Sequence, residues 1–134
     1  MTRHDPSWVS AGGDMISTTR DLQTYFAALL GGALLPADLL AEMCTPHPTG
    51  IPGTGYGLGI FVQDAGPHGI LLHHNGATIG SAALMYGTPG GGTTLTAGLN
   101  HVDDAEMTVA AAFQRAQQRL VDAVFAPAPT RSPQ

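Results

Sequence analysis

Apolar residues recur at two different periods along this chain, and the change of period divides it. Leu22, Phe26, Leu29 and Leu30 repeat at helical spacing. Ahead of them, Thr18 with Asp21 three residues on forms a capping box with Asp in place of the usual Glu, and Gly31-Gly32 stops the helix. A second, short helix is predicted from Pro36 to about Met43, with Pro36 at its first position. Residues 45–54 are rich in Pro, Gly and Thr and read as a loop, and residues 1–16 read as irregular. From residue 56 the pattern shortens. Residues 56–62, 70–74, 82–86 and 93–99 are brief, partly apolar runs, and Gly66-Pro67-His68-Gly69 and Thr88-Pro89-Gly90-Gly91-Gly92 separate two pairs of them. Such runs predict the strands of an antiparallel meander. The helical period returns from about residue 103 to 125, with Val109, Ala112, Phe113, Ala116, Leu120 and Val124 as its apolar stripe. Asp103, Asp104 and Glu106 sit at its positive end, and Arg115 and Arg119 nearer its negative end, as the helix dipole prefers. Residues 126–134 form a Pro-rich tail expected to be disordered.

Helices, then strands, then one long closing helix predict an α+β fold, an antiparallel sheet covered by helices, in a single domain over residues 1–125. Such a sheet has two faces and two edges, more than two short helices and one long one cover. Unpaired edges are a liability, so the pattern points to strands that lie elsewhere.

Composition sharpens that picture. Hydrophobic residues make up 43% of the 134, but charged residues only 11%, against roughly 25% in an ordinary soluble domain. Part of this surface is expected to be covered by something else. A net charge of −5 with no basic run excludes nucleic acid and anionic membranes as partners. No apolar stretch approaches the ~18 residues of a membrane span. The opening Met1-Thr2-Arg3-His4-Asp5 is polar and does not read as a signal peptide, which would leave the chain cytoplasmic as written. Cys44 is the one cysteine; it has no partner motif and is expected to be buried. His68, His73, His74 and His101 do not make a metal site, because adjacent strand histidines diverge and no Cys or carboxylate cluster supports them. Residues 87–92 are Gly-rich but lack a following Lys and helix, so they form a hairpin loop and not a phosphate cradle. Ser17 and Ser81 lie in neither G-x-S-x-G nor S-x-x-K and read as capping or turn residues.

The candidate chemistry is concentrated in Leu72-His73-His74-Asn75-Gly76-Ala77-Thr78-Ile79-Gly80. Five further stretches occur in order with it: Ser10-Ala11-Gly12-Gly13-Asp14-Met15-Ile16-Ser17-Thr18-Thr19-Arg20-Asp21-Leu22, Phe26-Ala27-Ala28-Leu29-Leu30-Gly31-Gly32, Leu34-Leu35-Pro36, Gly55-Tyr56-Gly57-Leu58-Gly59 and Leu99-Asn100. Each alone is weak. In this order and spacing, across residues 8–124, they resemble the C-terminal part of the serine β-lactamase-like family. That family holds class C β-lactamases, penicillin-binding-like serine D-alanyl-D-alanine carboxypeptidases and related esterases, and the nearest likeness is to the actinobacterial carboxypeptidases.

The resemblance implies a three-part active site: S-x-x-K with the nucleophilic serine, a Tyr-x-Asn element, and K-T-G or H-x-G on the innermost strand. The chain has five Lys plus Arg, and all five are arginine. With no lysine, S-x-x-K is absent. Tyr25-Phe26-Ala27, Tyr56-Gly57-Leu58 and Tyr86-Gly87-Thr88 are not Tyr-x-Asn. The third element alone matches, as His74-Asn75-Gly76. By this resemblance His74 is a catalytic hydrogen-bond donor or proton relay and the Ala77 N–H is an oxyanion donor. Gly76 lets substrate approach the strand, Asn75 contacts the substrate amide or carboxylate, and Asn100 belongs to the substrate-binding side. His73, one step out of phase, is structural. Carboxypeptidases of this type also bind the substrate's C-terminal carboxylate with a cation, and no arginine stands between Arg20 and Arg115. That departure leaves an esterase or amidase parent open beside the carboxypeptidase.

The expectation is a C-terminal fragment of a β-lactamase-related serine hydrolase, inactive alone, whose intact parent carries out D-alanyl-D-alanine carboxypeptidase-like acyl transfer. Its intact parent would act on a small-molecule or peptidoglycan-like substrate, with no cofactor or metal, and the missing N-terminal half would be a partner. The family usually works outside the cytoplasmic membrane, so localisation stays open. The alternatives are a non-catalytic binding or interaction module that keeps a groove near His74, and a decayed gene product that does not fold.

Overall fold

The computed structural model describes residues 10–78, 81–100 and 110–126, with the backbone alone at 10, 78 and 110. After a short 3-10 turn at Ser10–Gly12, helix α1 runs over Thr19–Leu30. Thr18 caps it, its hydroxyl accepting the Asp21 N–H at 3.1 Å and donating to the Asp21 carboxylate at 2.9 Å. The Asp21 carboxylate meets the Thr18 hydroxyl and not its backbone N–H, so Thr18 is an N-cap without the reciprocal arm that Glu supplies in a capping box. Gly31 ends the helix by donating to Ala27 O, and Gly32 takes a left-handed φ of 78°. Helix α2, Ala37–Met43, has Pro36 at its N-cap and not at its first helical position: Pro36 has a ψ of 148°, outside the helical range.

Among the described residues seven strands form one antiparallel sheet: β1 His47–Pro48, β2 Thr54–Tyr56, β3 Phe61–Asp64, β4 Ile70–His73, β5 Gly76–Thr78, β6 Ser81–Gly87 and β7 Thr94–Asn100. β4 and β5 lie end to end along one side of β6, and β7 covers its other side. Two sequence expectations need correction. The 56–62 run is a hairpin, because Gly57 N–H donates to Ile60 O at 2.7 Å and Gly59 has a φ of 81°, so the chain reverses between Tyr56 and Phe61. The 45–54 loop contains a two-residue edge strand, β1, which pairs with β2.

Strand alternation divides the core between the two sheet faces. Phe26 and Leu30 of α1 pack with Ile60 and Leu72 on one face, flanked by Val62 and Met85. On the other, Val121 and Phe125 of α3, Ala110–Phe125, pack with Leu71, Leu84 and Tyr86. Phe26 and Leu71 are fully buried, each contributing about 1.5–3 kcal/mol of transfer free energy.

The buried stripe of α3 differs from the expected one. Phe113, Gln117, Val121 and Phe125 turn inward, while Leu120 and Val124 are each 37% exposed and Ala112 and Ala116 are exposed. Gln117 occupies a core-facing position because its Nε2 donates to the Tyr86 hydroxyl, which satisfies the amide. An apolarity count cannot register such a position. The last turn of α3 is closed by His68, whose Nδ1 lies 3.1 Å from Phe125 O and whose Nε2 lies 3.0 Å from Asp122 Oδ1. Val109, Asp103, Asp104, Glu106 and the Pro-rich tail beyond residue 126 lie outside the described residues.

Candidate active site

The site is organised by how β4, β5 and β6 share hydrogen bonds. In an antiparallel pair, directly opposed residues alternate between bonded and unbonded. His74 N–H donates to Met85 O at 3.1 Å, and the register runs unbroken from Leu72↔Gly87 and His73↔Tyr86 to Gly76↔Ala83 and Ala77↔Ala82. Positions 74, 76 and 78 therefore direct their N–H groups toward β6, and 73, 75 and 77 direct theirs away. At His73 the strand on that side is β3, ending at Phe61. No described strand lies beyond it beside β5. The Ala77 N–H therefore points out from an edge that is bare among the described residues, and Ala77 itself is exposed.

His74 stands next to that edge and is exposed. Its Nε2 lies 3.3 Å from the Tyr56 hydroxyl, and its ring sits 6.2 Å from that of Tyr56 and 5.8 Å from that of Phe61. Gly76 is open, with nothing within 4 Å of the place where a Cβ would stand. Asn100 ends β7 opposite Ser81, which in turn opposes Thr78. His74, Gly76 and Ala77 thus share the β4–β5 side of β6, while Asn100 stands on β7 at the other side of β6.

Asn75 does not join them as a free side chain. Its Nδ2 donates to the Tyr86 hydroxyl at 2.8 Å and its Oδ1 accepts the Met85 N–H at 3.2 Å. The side chain replaces a main-chain partner where β4 passes into β5, on the α3 side of the sheet. The expected contact with substrate is thus in competition with two internal bonds.

His73 also faces α3. Its ring is sandwiched between Phe61 at 5.1 Å and Tyr86 at 4.7 Å, and its Nδ1 is buried without a partner among the described residues. Burial, helped by the neighbouring His74 charge, lowers its pKa to about 4, so it is neutral at physiological pH. It lines a polar cleft of about 300 Å³ together with Asn75, Tyr86, Gln63, Gln114 and Gln117. An apolar cleft of about 500 Å³ lies on the other face among Leu30, Ala37, Leu40, Val62 and Leu72. It includes Cys44, which is half-buried and not fully so, with its thiol pKa raised by burial. His74 and Ala77 line neither cleft. Both are exposed.

Ser81 opens β6 and is exposed, and the Ser17 hydroxyl donates to Thr18 O at 3.3 Å. Neither is arranged as a nucleophile. Among the described residues no three of His, Cys, Asp or Glu converge as metal ligands, and no helix is long and apolar enough to cross a membrane. His101 lies outside the described residues. Sequence reasoning passed over Tyr56 as a site residue; the adjacent glycines of Gly55-Tyr56-Gly57-Leu58-Gly59 were the available sign that the main chain is tightly folded there.

No known protein-family profile matches the chain. Among solved structures, it is similar to a D-stereospecific amidohydrolase from Streptomyces sp., with 34% sequence identity, a TM-score of 0.74 and 91% of this chain aligned. The fold is β-lactamase/transpeptidase-like. The likeness supports the broad β-lactamase-like family and a related serine hydrolase, and not the carboxypeptidases in particular. The chain spans 34% of that structure's length, about a third of a β-lactamase-like enzyme.

Proposed function

We propose that this chain supplies the sheet-side third of a serine hydrolase site that cleaves an amide next to a D-configured residue. The observation that carries the reading is the Ala77 N–H, turned away from β6 with no strand beside it among the described residues, and His74 exposed next to it. A serine Oγ adding to the substrate carbonyl carbon drives electrons onto the carbonyl oxygen. An N–H fixed by a strand, and not engaged in the ladder, stabilises that oxyanion without reorganising. His74 passes a proton toward the amine as the C–N bond breaks, and water then hydrolyses the serine ester. Gly76 leaves room for the substrate along the edge. The nucleophile, its lysine and the Tyr-x-Asn element belong to the other two thirds of such an enzyme, since this chain holds no lysine. An amidase is favoured over a carboxypeptidase by the similar amidohydrolase and by the lack of an arginine between Arg20 and Arg115.

The test is complementation. The chain alone should not hydrolyse a D-aminoacyl p-nitroanilide. Mixed with the N-terminal two thirds of the similar Streptomyces enzyme, it should give turnover that His74→Ala removes. A bound but silent mixture would overturn the hydrolase reading and leave the binding module.

A further inference from the structure

We propose that Tyr56 is a positioning residue that fixes the tautomer of His74, holding the ring proton on Nδ1. This rests on the role given to His74 above. Tyr56 ends β2 directly opposite Phe61, and the turn between them is pinned from two sides. Gly57 N–H donates to Ile60 O at 2.7 Å, and Leu58 N–H donates to Met43 O at 2.9 Å. At Gly57 a Cβ would collide with the Met43 carbonyl, so the close approach of hairpin to α2 needs glycine. The Tyr56 ring meets Phe61 edge-on at 4.5 Å, and Phe61 stacks on His73. The phenol is thus held by a fixed hairpin, with its hydroxyl 3.3 Å from His74 Nε2.

Chemistry sets the direction of that contact. A neutral imidazole has one donor and one acceptor nitrogen. A phenol is a good donor, while its oxygen is a poor acceptor because a lone pair is delocalised into the ring. The better bond is O–H···Nε2, which requires the proton on Nδ1. An unconstrained histidine side chain prefers the proton on Nε2, so Tyr56 reverses the default. With Nε2 engaged by Tyr56, Nδ1 is the nitrogen left to serve a reacting group. The Gly55-Tyr56-Gly57-Leu58-Gly59 stretch thereby acquires a task, in which its glycines fold the hairpin that carries the tyrosine to His74.

Long-range proton–nitrogen spectra of the 15N-labelled chain test this at about pH 8, above the ordinary histidine range. The signals that disappear in His74→Gln identify the ring among the six histidines. The expected result is an Nδ1–H tautomer for His74, moving to the Nε2–H pattern in Tyr56→Phe. An Nε2–H tautomer in the unmutated chain overturns the proposal whether or not the variant folds, and so does a Tyr56→Phe spectrum with the Nδ1–H form unchanged. The measurement needs no turnover. A silent complementation mixture with the Nδ1–H form present sinks the hydrolase reading alone; restored turnover with the Nε2–H form sinks only the part given to Tyr56.

Discussion

Replacing Ala77 with proline separates the two things a strand N–H can do. Proline removes the donor and otherwise tolerates an edge strand whose N–H faces outward. Ladder alternation from the His74 N–H to Met85 O bond places the Ala77 N–H on the bare side of β5. Ala77→Pro should then break no sheet hydrogen bond, and the melting transition should move by no more than an ordinary surface substitution, about 0.5 kcal/mol. Gly76→Pro is the matched control. Its N–H points toward Ala83 of β6, so proline there removes a ladder bond at a net cost of about 1 kcal/mol. In the complemented enzyme the order reverses. Loss of one oxyanion donor at Ala77 should lower kcat by about 10²–10³, or ~2.7–4 kcal/mol of transition-state stabilisation, with KM little changed. Circular dichroism melts and p-nitroanilide release measure the two effects on the same preparations. Full turnover in Ala77→Pro would refute the oxyanion assignment. An Ala77→Pro melt as poor as that of Gly76→Pro would refute the hydrogen-bond geometry beneath it.

Three further outcomes are expected. Asn75→Leu leaves the part-buried Met85 N–H without its side-chain acceptor and takes one of two donors, the other being Gln117, from the Tyr86 hydroxyl, and should destabilise by about 1–3 kcal/mol in a urea titration; an unchanged midpoint would return Asn75 to the substrate. His73 takes up a proton near pH 6.5 when unfolded but only near about 4 when folded. The unfolded chain therefore holds the extra proton between those values. Stability should be full above pH 6.5 and fall as pH drops through about 4, and His73→Phe should flatten that part of a pH series of melts. Gly87→Ala would place a Cβ 2.6 Å from Leu30 Cδ1 and 3.1 Å from Phe26 Cε1, overpacking the α1 face by about 1–3 kcal/mol; a melt equal to the unsubstituted chain would show that α1 can shift away from β6.

The sequence made some features legible because one residue type has one physical use there. The N-cap at Thr18, the glycine stop after Leu30 and the β6–β7 pair around Thr88-Pro89-Gly90-Gly91-Gly92 are local, and the structure has all three. The α3 stripe was illegible because the face that docks includes Gln117, whose amide is satisfied by a tyrosine 31 residues away in sequence. The hairpin inside residues 56–62 was hidden for a similar reason. Tyr56, Phe61 and Val62 look like one apolar run, and the bonds that fold it reach back to Met43.

The candidate site divides along the same line. The resemblance proposes roles for His74 and the Ala77 N–H, and strand alternation fixes which way each group faces. The same alternation works against Asn75. It points to the face opposite His74, toward Tyr86 and the Met85 N–H. Its amide fills the gap in the ladder where β4 passes into β5, at the step that carries His74 beside the bare edge. Asn75 therefore acts on the site through the main chain. A substitution there should disturb His74 and Ala77 together, whereas a side chain that only touched substrate could be removed without moving either. Amide exchange at Ala77 and the ring signals of His74, followed in Asn75→Leu, would show that coupled change. If both stayed as they are in the unsubstituted chain, the step from β4 to β5 would be held by something other than Asn75.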